Sequence, residues 1–177
     1  MKKTIIASIL ALGVIGVNAA QAADSEVNFI GAVTAETCDL SPAVGGTTQL
    51  SSVVQLGTVA PGVNDGTPVN FSLKAANPAA SGCANLEDQD IAHVSWTSPA
   101  MKADGLGATA GTADDAVVIL KTLNAKDAQV TINNTTRTAD FEAKKALSDG
   151  LQFSAQLKSG QKSGDFQSVA AFAVSYK

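Results

Sequence analysis

Apolar and polar residues alternate along much of this chain with a period of two, which is the pattern of strands that bury one face. The clearest alternation is found in Val27–Val33, Val69–Leu73, Ile91–Trp96, Leu151–Leu157 and Phe172–Tyr176. Val130–Ile132 is a shorter example, and Val117–Leu120 is an uninterrupted apolar run, which suits a strand buried on both faces. The pattern therefore predicts a chain built mainly from β-strands.

Residues that favour turns separate these strands. They include Gly45-Gly46, Pro61-Gly62, Asn64-Asp65-Gly66, Asp104-Gly105, Asn133-Asn134, Ser159-Gly160 and Ser163-Gly164. About eight short strands with frequent turns predict an all-β sandwich. No internal repeat or change of composition marks a boundary within this body, so we expect it to fold as one domain.

One segment departs from the strand pattern. Residues 140–149 contain good helix formers between Asp140, which suits a helix N-cap, and Gly150, which suits a helix end. The same residues also suit a loop. The sequence leaves both alternatives open, a short helix or an irregular connection.

The N-terminal segment has the features of an export signal. Two lysines follow Met1, the run Ile5–Val17 is almost wholly apolar, and small residues at Ala20 and Ala22 form an Ala-x-Ala cleavage site. The alternative is a retained membrane helix, which requires about 20 apolar residues, and this run is shorter. Residues 1–22 are therefore predicted to be a signal peptide, and no membrane insertion is expected of the rest.

Composition and charge argue against several functions. The chain has 177 residues, a formal net charge of -4 and only 12 Lys and Arg residues, which is unfavourable for binding nucleic acid. Its single histidine, His93, lies within a strand pattern and supports neither a multi-His metal centre nor a hydrolase triad. The segment Gly105–Ala110 imitates a dinucleotide-binding loop, but no strand precedes it and no helix follows. We predict no catalytic residue, no metal and no cofactor.

Two cysteines, Cys38 and Cys83, remain once the signal has been removed. A single pair of cysteines in an exported protein favours one disulfide. Two free thiols, or a bridge between two chains, are the alternatives. Because the sequence contains no Cys-x-x-Cys pair, it does not indicate a thiol–disulfide oxidoreductase.

The last predicted strand raises a question about its partner. Phe172, Val174 and Tyr176 alternate almost to the final residue, and no hairpin partner follows them. An unpaired strand edge beside exposed apolar side chains promotes aggregation. An exported protein can manage this hazard by pairing the edge with a strand from another chain. A harmless edge strand at the end of the chain is the simpler alternative.

Several segments resemble the pilin subunits of bacterial chaperone–usher fimbriae. Val27–Cys38 is similar to the extension that leads into the first strand and first cysteine of that family. Tyr176 is the penultimate residue, and Gly164 is fourteenth from the C-terminus, as in the family's terminal motif. Segments similar to a major subunit of such fimbriae are Leu56–Pro61, Phe153–Lys158 and Gly164–Gln167.

This resemblance implies an incomplete immunoglobulin-like sandwich that lacks its final strand and is completed by a donor strand from another chain. It implies a donor-strand extension at 23–33, a pilin domain at 34–177 and a bridge between Cys38 and Cys83. The side chains expected to fill a neighbour's groove are Ser25, Val27, Phe29, Gly31 and Val33. Those expected on the groove and chaperone-binding strand are Gly164, Phe166, Phe172, Val174 and Tyr176. Gly31 suits either a bulge or a close approach within a narrow groove.

The resemblance also implies partners and a location. The expected partners are identical subunits in a homopolymer, a periplasmic chaperone and an outer-membrane usher, with minor and tip subunits as further candidates. The expected location is a fimbrium on the bacterial surface, reached through the periplasm. The main hypothesis is therefore a structural subunit, not an enzyme, that polymerises into the shaft used in adhesion. The alternative is a subunit that itself binds a host receptor, and fibres made of this subunit alone would bind host cells only in that case.

Overall fold

The computed structural model describes residues 37–45, 52–62 and 65–177. This part of the chain forms nine strands: β1 (Leu40–Val44), β2 (Val69–Ala75), β3 (Ile91–Thr97), β4 (Leu106–Gly107), β5 (Val117–Thr122), β6 (Thr131–Ile132), β7 (Thr138–Glu142), β8 (Leu151–Lys158) and β9 (Ala171–Tyr176). Its helices are one α-helical turn, α1 (Ser81–Ala84), and the 3₁₀ helix Ala143–Leu147.

The strands form two antiparallel sheets. The larger sheet has the order β1-β2-β8-β5-β4, and β6 also pairs with β5. The smaller sheet has the order β7-β3-β9, so the last strand of the chain is an edge strand that pairs with β3. Sequential strands often lie in different sheets, which gives the chain the crossing connections of a β-sandwich.

Aromatic side chains pack between the two sheets. The ring of Trp96 on β3 lies 5.3 Å from that of Phe153 on β8 and 6.3 Å from that of Phe71 on β2. Phe141 on β7 packs 5.2 Å from Phe153. These rings are buried and belong to one hydrophobic cluster, so the described part of the chain has a single core between its sheets. The predicted all-β sandwich is confirmed.

The strand at 117–122 is buried along its length on one face but only at Val117 on the other, so its unbroken apolar run predicted more burial than the structure shows. Val117, Val118 and Leu120 are all buried, and the strand lies between β8 on one side and β4 and β6 on the other. Ile119 and Lys121 lie on the second face and are partly exposed, so this interior strand is fully covered on one face only.

Three strands were not predicted from the pattern. β1 contains Pro42, β4 has only two residues, and β7 occupies the start of the segment for which a helix or a loop was expected. The chain from Thr138 to Glu142 is extended because Phe141 and its neighbour Ala139 enter the core beside β3. Only the following turn is helical, and Gly150, with φ 84°, then redirects the chain into β8.

The disulfide between Cys38 and Cys83 joins the residues just before β1 to helix α1. Both cysteines are almost fully buried, with exposed fractions of 2% and 1%. The pairing within one chain is therefore part of the fold. Among the residues that the structure describes, no helix is long and apolar enough to cross a membrane.

Candidate functional site

The core is incomplete along β9. Phe172, Val174 and Tyr176 point toward the cluster between the sheets, yet all three side chains are only half-buried. By contrast, the inward-facing residues of the paired strand β3, such as Val94 and Trp96, are buried. Apolar side chains that line a core without being covered favour association with another apolar surface.

The backbone of β9 is also open on one side. The N–H of Ile91 donates to the carbonyl of Lys177 at 2.9 Å, and the N–H of Lys177 donates to the carbonyl of Ile91 at 3.0 Å. This bonded pair fixes which residues of β9 have backbone groups that face β3. In an antiparallel ladder every second residue bonds to the neighbour, so the N–H and C=O groups of Phe172, Val174 and Tyr176 point away from β3. Within the described residues no strand pairs with β9 on this side. The same three residues therefore offer both backbone groups and apolar side chains.

The opposite edge of the small sheet is protected. The backbone groups of β7 that face away from β3 belong to Thr138, Asp140 and Glu142, and the N–H of Lys126 donates to the carbonyl of Asp140 at 2.7 Å. Two of these three residues are charged, whereas Phe166–Tyr176 contains no charged residue. Charged side chains and local covering are the usual means of preventing strand addition at an edge.

The far edge of the large sheet is protected in a different way. β4 has only two residues, and the N–H of Gly107 donates to the carbonyl of Ala100 at 2.7 Å, so its own chain covers it. Among the residues that the structure describes, the β9 edge has neither the charge found at β7 nor the covering found at β4. We therefore regard the β9 edge as the candidate functional site.

A cleft of about 280 Å³ separates β9 from the chain around β1. It is lined by Thr37, Cys38, Asp39, Leu40, Phe172 and Val174. Residues 37–40, around the disulfide cysteine Cys38, form one wall of the cleft. Phe172 and Val174 of β9 form the other wall. The cleft therefore lies between β1, the edge strand of the large sheet, and β9, an edge strand of the small sheet.

Tyr176 is hydrogen-bonded to Cys38, one of the residues that line this cleft. Its hydroxyl donates a hydrogen bond of 2.8 Å to the carbonyl oxygen of Cys38. Burial, together with the nearby negative charge of Asp39, raises the pKa of Tyr176 to about 12. The neutral phenol is therefore the form that holds the end of β9 against the disulfide region.

The other two residues predicted for the groove strand, Gly164 and Phe166, lie before β9. Gly164 belongs to the segment 159–167, which we call the strap because it is bonded to the loop 109–115. Its φ is 134°, and an added Cβ would lie 1.7 Å from the hydroxyl of Thr112, so only glycine fits there. Phe166 packs against the core at the end of the strap.

The strap anchors the chain just before β9. The N–H of Thr109 donates to the carbonyl of Gln167 at 2.7 Å, and Gln167 donates to Ala110 at 3.0 Å. Asp115 accepts hydrogen bonds from the N–H groups of Gln161 and Lys162. These bonds connect the strap to the large sheet and fix the position at which β9 begins.

The structure thus brings Phe172, Val174 and Tyr176 together with Cys38 at one cleft. The residues predicted to enter a neighbour's groove, Ser25, Val27, Phe29, Gly31 and Val33, lie outside the described residues. Sequence reasoning missed Leu40 and Asp39 as cleft residues. Their position directly after Cys38 is the one signal that could have indicated them, because the bridge holds that stretch beside β9.

Comparisons with known proteins identify relatives of the whole chain. The chain is 40% identical to the F107 fimbrial protein of Escherichia coli over 177 residues, which cover 100% of both chains. It is 32% identical to the K99 fimbrial protein of Escherichia coli over 189 aligned positions, 99% of each chain. No family model matches.

Two solved structures are similar at low sequence identity. One is a chain of a chaperone-usher pilus, with 16% identity, a TM-score of 0.47 and coverage of 97% of this chain and 100% of that one. The other is the rod subunit of the P pilus, with 16% identity, a TM-score of 0.46 and coverage of 77% and 99%.

Proposed function

The chain belongs to the family of bacterial fimbrial proteins and is a structural subunit of a cell-surface fimbrium; from this premise we propose that subunits are joined by strand donation at the β9 edge. In this proposal, residues 23–33 of one copy enter the cleft of the next copy and pair with β9. The inserted side chains are Ser25, Val27, Phe29, Gly31 and Val33. The donor completes the small sheet and covers the exposed side of the core.

The observation that carries this proposal is that partly exposed apolar side chains and outward-facing backbone groups occur on the same three residues of β9. Phe172, Val174 and Tyr176 have half-buried side chains, and their backbone groups face an edge beside which none of the described strands lies. An inserted strand would cover these side chains and form hydrogen bonds with these backbone groups. Full burial of a Val or Phe side chain is worth about 1.5–3 kcal/mol, so Val27, Phe29 and Val33 can together contribute several kcal/mol before ordering costs.

The same edge requires protection before a subunit joins a fibre. We propose that a periplasmic chaperone lends a strand to β9 after export, because an open apolar edge aggregates. The subunit then passes to an outer-membrane usher, where the donor segment of another copy replaces the chaperone strand. Identical subunits form the shaft, and minor or tip subunits join it by the same edge. Residues 1–22 direct export and are removed first.

Deletion of the donor segment tests the proposal. A chain lacking Ala23–Ala32 should form a soluble complex with its chaperone and no fibres, because its own fold does not use the donor segment. Gly31→Leu should behave in the same way if the cleft is narrow there. Ala32→Leu is the matched control, since residue 32 points to the opposite face of an extended strand, and this variant should assemble. Fibre formation by the truncated chain, seen in electron micrographs, would overturn the proposal.

A further inference from the structure

The half-buried side of β9 extends beyond the strand itself. Alternate residues from Phe166 to Tyr176 are all half-buried, so this row of incompletely covered positions begins at the end of the strap. Within the row, the hydroxyl of Ser168 is buried and has no hydrogen-bond partner among the described residues. A buried hydroxyl without a partner is unfavourable, so the strap end of the row also favours an occupant. An occupant that covers the whole row spans residues 166–176.

The proposed donor segment has the length that this row requires. Residues 23–33 and residues 166–176 each comprise eleven residues, and an extended strand pairs with an equal length of its neighbour. Every ladder between the described strands is antiparallel, and we expect the donor to continue that arrangement. Val33 of the donating copy then lies beside Phe166, at the strap of the receiving copy.

The body of the donating copy must lie close to this strap. Four residues, 34–37, separate Val33 from Cys38. A fully extended chain advances at most about 3.6 Å per residue, so Cys38 lies within about 18 Å of Val33. The disulfide holds helix α1 beside Cys38, with 4.4 Å between the Cα atoms of Cys38 and Cys83. The part of the donating copy that reaches the strap is therefore formed by residues 37–39 and α1, which we call the disulfide end.

The strap is exposed to solvent, yet its conformation is fixed. An added Cβ at Gly111, Gly160 or Gly164 would collide with the facing segment, so the strap and the loop 109–115 fit closely together. The ammonium of Lys162 also pairs with the carboxylate of Asp114 at 2.8 Å. A surface that is already ordered loses little conformational entropy when another molecule binds to it.

We propose that the strap is the docking surface for the disulfide end of the donating copy. The inference rests on the proposed function, because strand donation brings these two surfaces together. Their chemistry is complementary. Gln161 and Lys162 are exposed hydrogen-bond donors on the strap, while Thr37 and Asp39 present exposed oxygen acceptors at the disulfide end. The contact limits the tilt between consecutive subunits, which the connecting residues alone would leave free.

A photoreactive side chain on the strap detects this contact in assembled fibres. Benzoylphenylalanine replaces Ser163 in one variant and Gln161 in another, since both residues are exposed on the strap. Asn70 is the matched control, because it is also exposed but lies on β2 in the large sheet. Fibres are co-assembled from isotope-labelled and unlabelled subunits, irradiated, reduced and digested, so that mass spectrometry identifies crosslinks between copies.

We expect both strap variants to crosslink to residues 34–39 or 81–84 of another copy, and the Asn70 variant to form no such crosslink. Crosslinks from the strap to other segments, or to no other copy, would overturn the inference. So would a crosslink from a probe at Ser175, at the opposite end of β9, to residues 34–39 of another copy.

Strap variants that do not assemble are tested with a synthetic peptide of residues 23–33. Variants that still bind this peptide would support the inference, because the added bulk then excludes only the body of the neighbouring subunit. Variants that bind no peptide would overturn it, since the strap would then serve the receiving edge itself.

The deletion chain separates this inference from the proposed function. Fibres formed by a chain lacking Ala23–Ala32 would overturn strand donation and, with it, the docking of the disulfide end on the strap. Fibres that require residues 23–32 but show no strap crosslink between copies would overturn the inference alone.

Discussion

Tyr176 is the residue at which the disulfide, the cleft and the last strand meet. Its hydroxyl bonds to the carbonyl of Cys38 at 2.8 Å, and its pKa is raised to about 12 by burial. A phenol with a raised pKa stabilises the folded chain below its unfolded pKa of about 10, and this contribution is lost as the pH rises toward the folded value. The end of β9 is therefore held by an interaction that weakens in strong alkali.

This behaviour can be measured because Tyr176 is the only tyrosine in the chain. The absorbance of tyrosinate should appear with a midpoint near pH 12 in the folded protein and near pH 10 in denaturant. Over the same interval the free energy of unfolding should fall more for the wild type than for Tyr176→Phe. A folded midpoint near 10, or parallel stability curves for the two chains, would contradict the assigned environment of Tyr176.

At the scale of elements, a charge added to strand β9 should affect fibre assembly differently on its two faces. Val174 faces the cleft, while the neighbouring Ser175 is exposed on the outer face of the small sheet. Val174→Asp should prevent fibre assembly, because an inserted strand would bury an unpaired carboxylate. Ser175→Asp adds the same charge where it stays in water and should leave assembly near the wild-type level.

Assembly is measured as the amount of fibre sheared from cells, and the soluble subunit in the periplasm is measured beside it. The Val174 variant should be lost from both fractions, since an uncaptured edge leads to aggregation or degradation. Fibres of the Val174→Asp chain in wild-type amounts would show that this face of β9 is not covered in the assembled state.

The strands differ in whether the hydrophobic pattern of the sequence predicted them. β2, β3, β8 and β9 were predicted because their apolar residues alternate with a period of two, and β5 was predicted from its uninterrupted apolar run. β7 was missed because only Ala139 and Phe141 enter the core, and its charged residues also suit a helix. β1 was missed because Pro42 lowers strand propensity, yet at an edge the missing N–H is tolerated.

Part of the candidate site was also predictable from a hydrophobic pattern in the sequence. Phe172, Val174 and Tyr176 carry a local signal, namely alternation along one strand. Gly164 does not: its requirement for glycine comes from Thr112, which is distant in sequence and meets it only after folding. Contacts across the strap and the cleft depend on which strands become neighbours, and a periodic pattern contains no information on that choice.

At the scale of the whole molecule, the bridge between Cys38 and Cys83 joins the cleft to the rest of the fold. It closes a loop with a sequence separation of 45 residues. Replacing both cysteines with alanine should lower the free energy of unfolding by about 2–5 kcal/mol, as for other small secreted domains. Urea denaturation of the two chains gives this difference, and equal midpoints would contradict it.

The cysteine variant also provides a second readout. Without the bridge, the chain around Cys38 is no longer held against Tyr176, so the phenol should be less buried and tyrosinate should appear at a lower pH than in the wild type. Reduction of stability with an unchanged tyrosine titration would show that the cleft keeps its geometry without the disulfide.

The position of the bridge has a mechanical consequence for a fibre built by strand donation. Tension along such a fibre enters each subunit through the residues before Cys38, and the bridge passes it directly to Cys83 and α1. β1, which follows Cys38, is thereby kept out of the load path and is not peeled from β2. In the proposed fibre, the load leaves through β9 and the donor strand paired with it. A covalent link at the point where tension enters suits a subunit that transmits load along a fibre.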